Sequence, residues 1–413
     1  MRKIRYRLKA MSYKINLIHL IHKLILTVLI LTPIFSFQES MALIFGGVIN
    51  NSTALTSPYI KGIKDLVFLL IMLLSLVLIL KKYKINKVSF YFFFLLLICV
   101  LIPAFYFHTN IIVFLVEIRW LIPFFLVIFL INKIDKKLLV QIANILYWLF
   151  IMHFIVQVLQ LFFAMGYFGK NPFGLSLRNP GLFFMPSTAG FFTILVWFFS
   201  KFYMSEVFKK RLSVLIPLSI FLTASGTAIV TYIVVFFILN LKKTYIPLLP
   251  IFLIGLAILI VLLLDILSGR EGIVEESFGT RLMIFKNLFL SSNYLPNNFG
   301  LGTSTSYLIA NKYGLSINSI STDSWYVALI VNLGLINFFL IMMVLSIIFI
   351  VLIISKRKEE LIFMVIYLLY GATNVFTESF PANIIFSVLL GYYLTLQKIK
   401  YKSVNQYRKV TKL

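Results

Sequence analysis

Long stretches without a single charge recur along this chain at short intervals, and no other feature limits its folding so tightly. Leu66 to Leu80 reads LVFLLIMLLSLVLIL, and comparable runs follow one another to residue 397. Only 12% of the 413 residues are charged and 61% are hydrophobic, whereas a soluble domain carries about 25% charged residues. A bilayer is the solvent that such a composition fits. In hydrocarbon every backbone polar group must be satisfied internally, which leaves helices or a closed β-barrel. Barrel strands alternate polar and apolar positions, and these runs do not. The expected fold is all-α, a polytopic helical bundle. A span needs about 20 apolar residues, and the runs mark about twelve: 20–36, 65–80, 89–107, 111–131, 138–165, 182–200, 212–224, 226–241, 246–267, 324–355, 361–377 and 382–397. The seventh and eighth share a tight turn at Ala224-Ser225-Gly226. The tenth is too long for one straight span, so Ser324 to Leu333 is expected to lie at the membrane surface before Gly334 bends the chain inward.

Positive charge orients the bundle. Of 38 Lys and Arg residues, 29 fall in alternate connections: before residue 24, in 81–87, 133–137, 201–211, 242–243 and 356–358, and after 397. The positive-inside rule puts these in the cytoplasm, with both termini. The whole chain, 1–413, then reads as one membrane domain whose large polar interruption, 268–323, is an external loop with amphipathic helical character. The net charge of +25 is explained by topology and anionic lipid rather than by nucleic acid. Cys99 is the sole cysteine and four histidines, at 19, 22, 108 and 153, are scattered, so neither a disulfide framework nor a metal site is expected. The basic N-terminus is read as part of a retained span rather than a cleaved signal.

Nine basic residues break the topological rule: Lys61, Lys64, Arg119, Lys170, Arg178, Arg270, Arg281, Lys286 and Lys312. Arg119 falls inside the fourth span, where a charge either snorkels to the surface or serves the bundle interior. Arg178 sits in SLRNPGLFFMPSTAG and Arg281 in FGTRLMIFKNL, on two external segments. Guanidinium groups converging from separate loops suit a diphosphate, because the planar fork pairs with phosphate oxygens. Gly300 and Gly302 in NNFGLGTSTS permit close backbone approach to a ligand. Asp323 opens the helix beginning at Ser324, as a carboxylate for an acceptor hydroxyl, as an N-cap, or as both. Glu378, in TESFPAN, is a second carboxylate on the same side.

The ordered set of LTASGTA, GTRLMIFKNL, FGLG and STDSWYVALIVNLGLINFFL resembles the O-antigen polymerase and ligase superfamily. RNPGLFFMPSTAG is similar to that superfamily's other arginine-bearing loop, and KGIKDLVFLL to its second span. The resemblance implies a multi-pass protein of the bacterial cytoplasmic membrane that carries out metal-independent glycosyl transfer without a cofactor. It further implies that oligosaccharide repeat units on undecaprenyl diphosphate are joined at the outer face into O-antigen or capsule. Membrane lipid, a chain-length regulator and a flippase are the implied partners. Arg281, Arg178 and Asp323 become the implied catalytic residues, with Arg119, Lys64, Gly300, Gly302 and Glu378 around the substrate. The superfamily's ligases open the last amphipathic helix with histidine, where this chain has Thr322-Asp323, and this favours polymerase over ligase. A flippase or other transporter is the remaining alternative, set against the absence of an internal repeat.

Overall fold

An unbroken apolar run becomes a helix in lipid because only a helix satisfies its own backbone. The computed structural model describes residues 2–45, 58–80, 122–163, 178–242, 324–377 and 379–395, and every regular element among them is helical. In chain order these are α1 (Arg2–Ile30), a 3-10 turn (Thr32–Ser36), α2 (Phe37–Phe45), α3 (Pro58–Leu80) and α4 (122–130). Next come α5 (Lys136–Phe163), α6 (Pro186–Phe202), α7 (Glu206–Thr223), α8 (Gly226–Asn240), α9 (Trp325–Ile354), α10 (Lys358–Gly371) and α11 (Ala382–Thr395). Among the described residues Gly62–Leu80, Lys136–Phe163 and Gly334–Ile354 are long and apolar enough to cross a membrane. Asn16–Ile30 and Thr32–Ile44 pass the same test together, bent by 40°. The expected spans 89–107 and 246–267, most of 111–131, and the loop 268–323 lie outside the described residues.

The first expected span, 20–36, differs from the observed element. α1 begins at Arg2, because charge at a helix end does not stop backbone hydrogen bonding. It stops at Ile30, and Pro33 then sits at the start of the 3-10 turn, where its missing N–H cannot continue the α ladder.

The chain divides into two compact units. The first comprises Met1–Leu96, Arg119–Thr223 and Thr377–Leu413. Within it, α1 packs on α3 and α5 through Ile21, Ile25, Val28 and Leu29, all fully buried and on one face. α6 is enclosed almost all round, with Phe191, Phe192, Ile194, Leu195, Val196, Phe198 and Phe199 at most 1% exposed. Such all-round burial marks a helix inside a protein rather than at its edge. α5 and α7 flank it. Asp135 caps α5, its Oδ1 accepting the Leu138 N–H at 2.8 Å. Ser387 on α11 donates to the Pro123 carbonyl at 2.7 Å and ties that helix to the α4 segment.

The second unit comprises Leu97–Ile118 and Ala224–Phe376. Its second segment opens at the tight turn expected from the sequence: Ala224 has φ 45°, and Ser225 is the extended N-cap residue of α8. α10 packs on both α8 and α9. Lys358 donates to the carbonyls of Leu239 (3.1 Å) and Leu241, so its cation meets the C-terminal end of α8. α9 is broken at Gly334, as expected, with φ 76° and ψ 169°, a conformation essentially confined to glycine. The first part of the arm before the break is packed against protein. Trp325, Val327, Ala328, Leu329 and Ile330 are at most 3% exposed. Ser324 Oγ donates to the Gly371 carbonyl at 3.3 Å and Tyr326 OH to the Leu368 carbonyl at 2.6 Å. The end of α10 is the bed on which the arm rests.

Candidate functional site

Arg178 is the expected catalytic residue whose surroundings the structure describes most fully. Its side chain is exposed, while the next two residues, Asn179 and Pro180, are buried. The chain turns at Pro180-Gly181, where the Phe183 N–H donates to the Pro180 carbonyl at 3.0 Å. It then enters α6 through Met185, an extended N-cap residue, and Pro186. Proline suits the first helical position because no hydrogen bond needs its N–H there.

What holds this hairpin is a polar ladder on α5. His153, Gln157 and Gln160 follow at i, i+4 and i+7 on one helix face, and each is at most 1% exposed. The Gln160 amide makes a paired contact with one residue: its Nε2 donates to the Gly181 carbonyl (3.0 Å), and its Oε1 accepts the Gly181 N–H (2.7 Å). Gln157 Nε2 donates to the Asn179 carbonyl at 3.0 Å. His153 Nδ1 accepts the Leu182 N–H at 3.2 Å, which assigns the ring proton to Nε2. That Nε2 has no hydrogen-bond partner among the described residues, and the rings of Phe183 and Phe192 lie 5.4 Å from the imidazole. From the other side, the Asn179 N–H donates to the Leu222 carbonyl near the end of α7 at 2.9 Å.

Ser219 of α7 completes the network. Its Oγ donates to Gln157 Oε1 at 2.7 Å and meets Thr193 Oγ1 of α6 at 3.1 Å. Gly181, with φ +60°, sits so close to α5 that an added Cβ would stand 2.3 Å from His153 Nδ1. Buried amides cost several kcal/mol unless bonded; here they are bonded chiefly to the backbone beside Arg178.

The location along α5 is informative. At about 1.5 Å per residue, His153 lies about 26 Å and Gln160 about 36 Å from Lys136 along the axis. A hydrocarbon layer is about 30 Å thick, so α5 is long enough to cross one, and the ladder occupies the end of α5 remote from Lys136 and Lys137. Arg178 stands beside that end of α5.

Lys64 is placed differently. It is 7% exposed on α3, and its Nζ stands 5.5 Å from the centre of the Phe380 ring. Phe380 also meets Phe35 edge-on at 5.2 Å. The buried ammonium thus stands within cation–π distance of the Phe380 ring. Arg281, Asp323, Arg119, Gly300, Gly302 and Glu378 lie outside the described residues. Ser324, next to Asp323 in the chain, is held to Gly371 in the second unit.

Reading the sequence alone missed Gln157, Gln160 and Ser219, and took His153 as one of several scattered histidines. The available signal was H-x3-Q-x2-Q, three polar residues on one face of an otherwise apolar helix. Among the described residues no group of three His, Cys, Asp or Glu stands together as a metal site would require. Comparison with protein-family models, characterised proteins and solved structures finds no match.

Proposed function

We propose that this chain polymerises undecaprenyl-diphosphate-linked oligosaccharide repeat units by glycosyl transfer at the outer face of the bacterial cytoplasmic membrane. The observation that carries the reading is the exposed Arg178 on a backbone held by buried hydrogen bonds to one end of a membrane-length helix. A lipid-linked diphosphate presents its charge at the edge of the bilayer, and an arginine at the end of a spanning helix can pair with it there.

In this reading the acceptor sugar hydroxyl attacks the anomeric carbon of the lipid-linked chain. The new C–O bond forms as the bond to the diphosphate breaks. Arg178 and Arg281 take up the negative charge that grows on departing undecaprenyl diphosphate, and Asp323 receives the hydroxyl proton. Asp323 in place of a histidine is what separates this from the ligase reaction.

Deleting the gene and resolving surface polysaccharide on a gel tests the reading. Polymerase predicts loss of the ladder with one repeat unit still attached. Free lipid-linked polymer with no attachment would establish a ligase instead. Single units trapped on the inner leaflet would establish a flippase.

A further inference from the structure

We infer that Gln160, Gln157 and His153 are positioning residues for Arg178, gripping the backbone beside it so that its guanidinium is presented at one height and in one orientation. The inference rests on the reading of Arg178 as a diphosphate ligand and adds residues that reading does not contain.

Burial requires partners for the hairpin's backbone N–H and C=O groups, but it does not require that three side chains on one face of a single helix supply them. Yet α5 spends four hydrogen bonds on the three residues Asn179, Gly181 and Leu182. The paired contact of the Gln160 amide with both the N–H and the C=O of Gly181 fixes translation along α5. The Gln157 and His153 bonds to either side oppose rotation about it. The Asn179 bond to Leu222 adds a second helix to the grip. These constraints act immediately after the exposed Arg178, so the Cα of that residue inherits them. A displacement of about 1 Å at a charge-stabilising group costs up to about 100-fold in rate, and three backbone anchors are the remedy.

The test replaces Gln160 by leucine, of similar size but with no polar atoms, and reads two quantities. The first is the motion of position 178, from the spectrum of a nitroxide on Arg178→Cys in a chain whose Cys99 is serine. The second is polymerisation by the unlabelled Gln160→Leu protein with Arg178 intact. The expected result is a more mobile label, a fall of about 10- to 100-fold in turnover at saturating lipid-linked substrate, and a smaller change in KM. Gln160→Asn, which keeps the amide but retracts it by one methylene, should show the same two effects more weakly and serves if the leucine variant does not fold. An unchanged spectrum in the folded variants would overturn the inference. So would a mobile label with normal turnover, where Arg178→Ala abolishes polymer. If Arg178→Ala itself leaves the ladder normal, the reading of Arg178 fails, while the spectrum still decides whether Gln160 holds the hairpin.

Discussion

Two helices of this protein meet the same length and hydropathy standard for crossing a membrane and use their surfaces in opposite ways. Of the most apolar 18-residue stretch of α5, 39% is buried; for the Gly334–Ile354 part of α9 the figure is 17%. α9 exposes Met343, Ile347 and Ile350 along one apolar face. α5 exposes Trp148, Met152, Ile155 and Phe162 and buries His153, Gln157 and Gln160. Its exposed side is apolar, and its buried side runs from apolar residues between Leu138 and Phe150 to the three polar ones near its C-terminal end, as a spanning helix keeps its polar side chains toward protein. Average hydropathy therefore states only that a helix can span. The direction of its polar residues states what it holds.

The contrast can be broken first at the two glycines that serve these helices. Gly181→Ala drives a methyl into His153 from a positive-φ position, so it should cost about 3 kcal/mol or more. Thermal unfolding in detergent and the polysaccharide ladder should both register it. A stable, active Gly181→Ala protein would mean the hairpin is not pressed against α5. Gln157→Leu comes next. It makes α5 more apolar yet strips partners from the Asn179 carbonyl and Ser219, at about 2 kcal/mol. Stabilisation instead would show that the polar face has lipid before it. Gly334→Ala should cost about 1–2 kcal/mol, from backbone strain at the break in α9, and is read by the same unfolding assay. Ile347→Leu, on the exposed face of α9, should stay within about 0.5 kcal/mol of the parent. A larger loss would show that a protein surface covers that face.

Hydrophobic patterning made some elements readable in advance. The expected 65–80, 138–165 and 226–241 correspond to Gly62–Leu80, Lys136–Phe163 and Gly226–Asn240 within a few residues. The turn at Ala224 and the break at Gly334 were legible because small residues stood where apolar runs had to change direction. The bend after Ile30 was less so, since Pro33 sits in a run that is apolar on both sides. The ladder was illegible for a different reason. A glutamine on an apolar helix looks the same whether it faces a cavity, a partner helix or a returning loop, and only the fold brings Gly181 back to Gln160. For the same reason the Phe380 ring beside Lys64, far along the chain, was not legible.

The paired bonds between Gln160 and Gly181 join residues 21 apart in sequence. They act as a clasp that closes the intervening chain into a ring with its own entropy of closure. That entropy grows only logarithmically, about 0.6 kcal/mol for each doubling of length. The sequence between Phe163 and Arg178 can therefore lengthen, shorten or diverge while the arginine stays where the clasp leaves it. Loop length and anchor position thereby become separate properties of one stretch of chain.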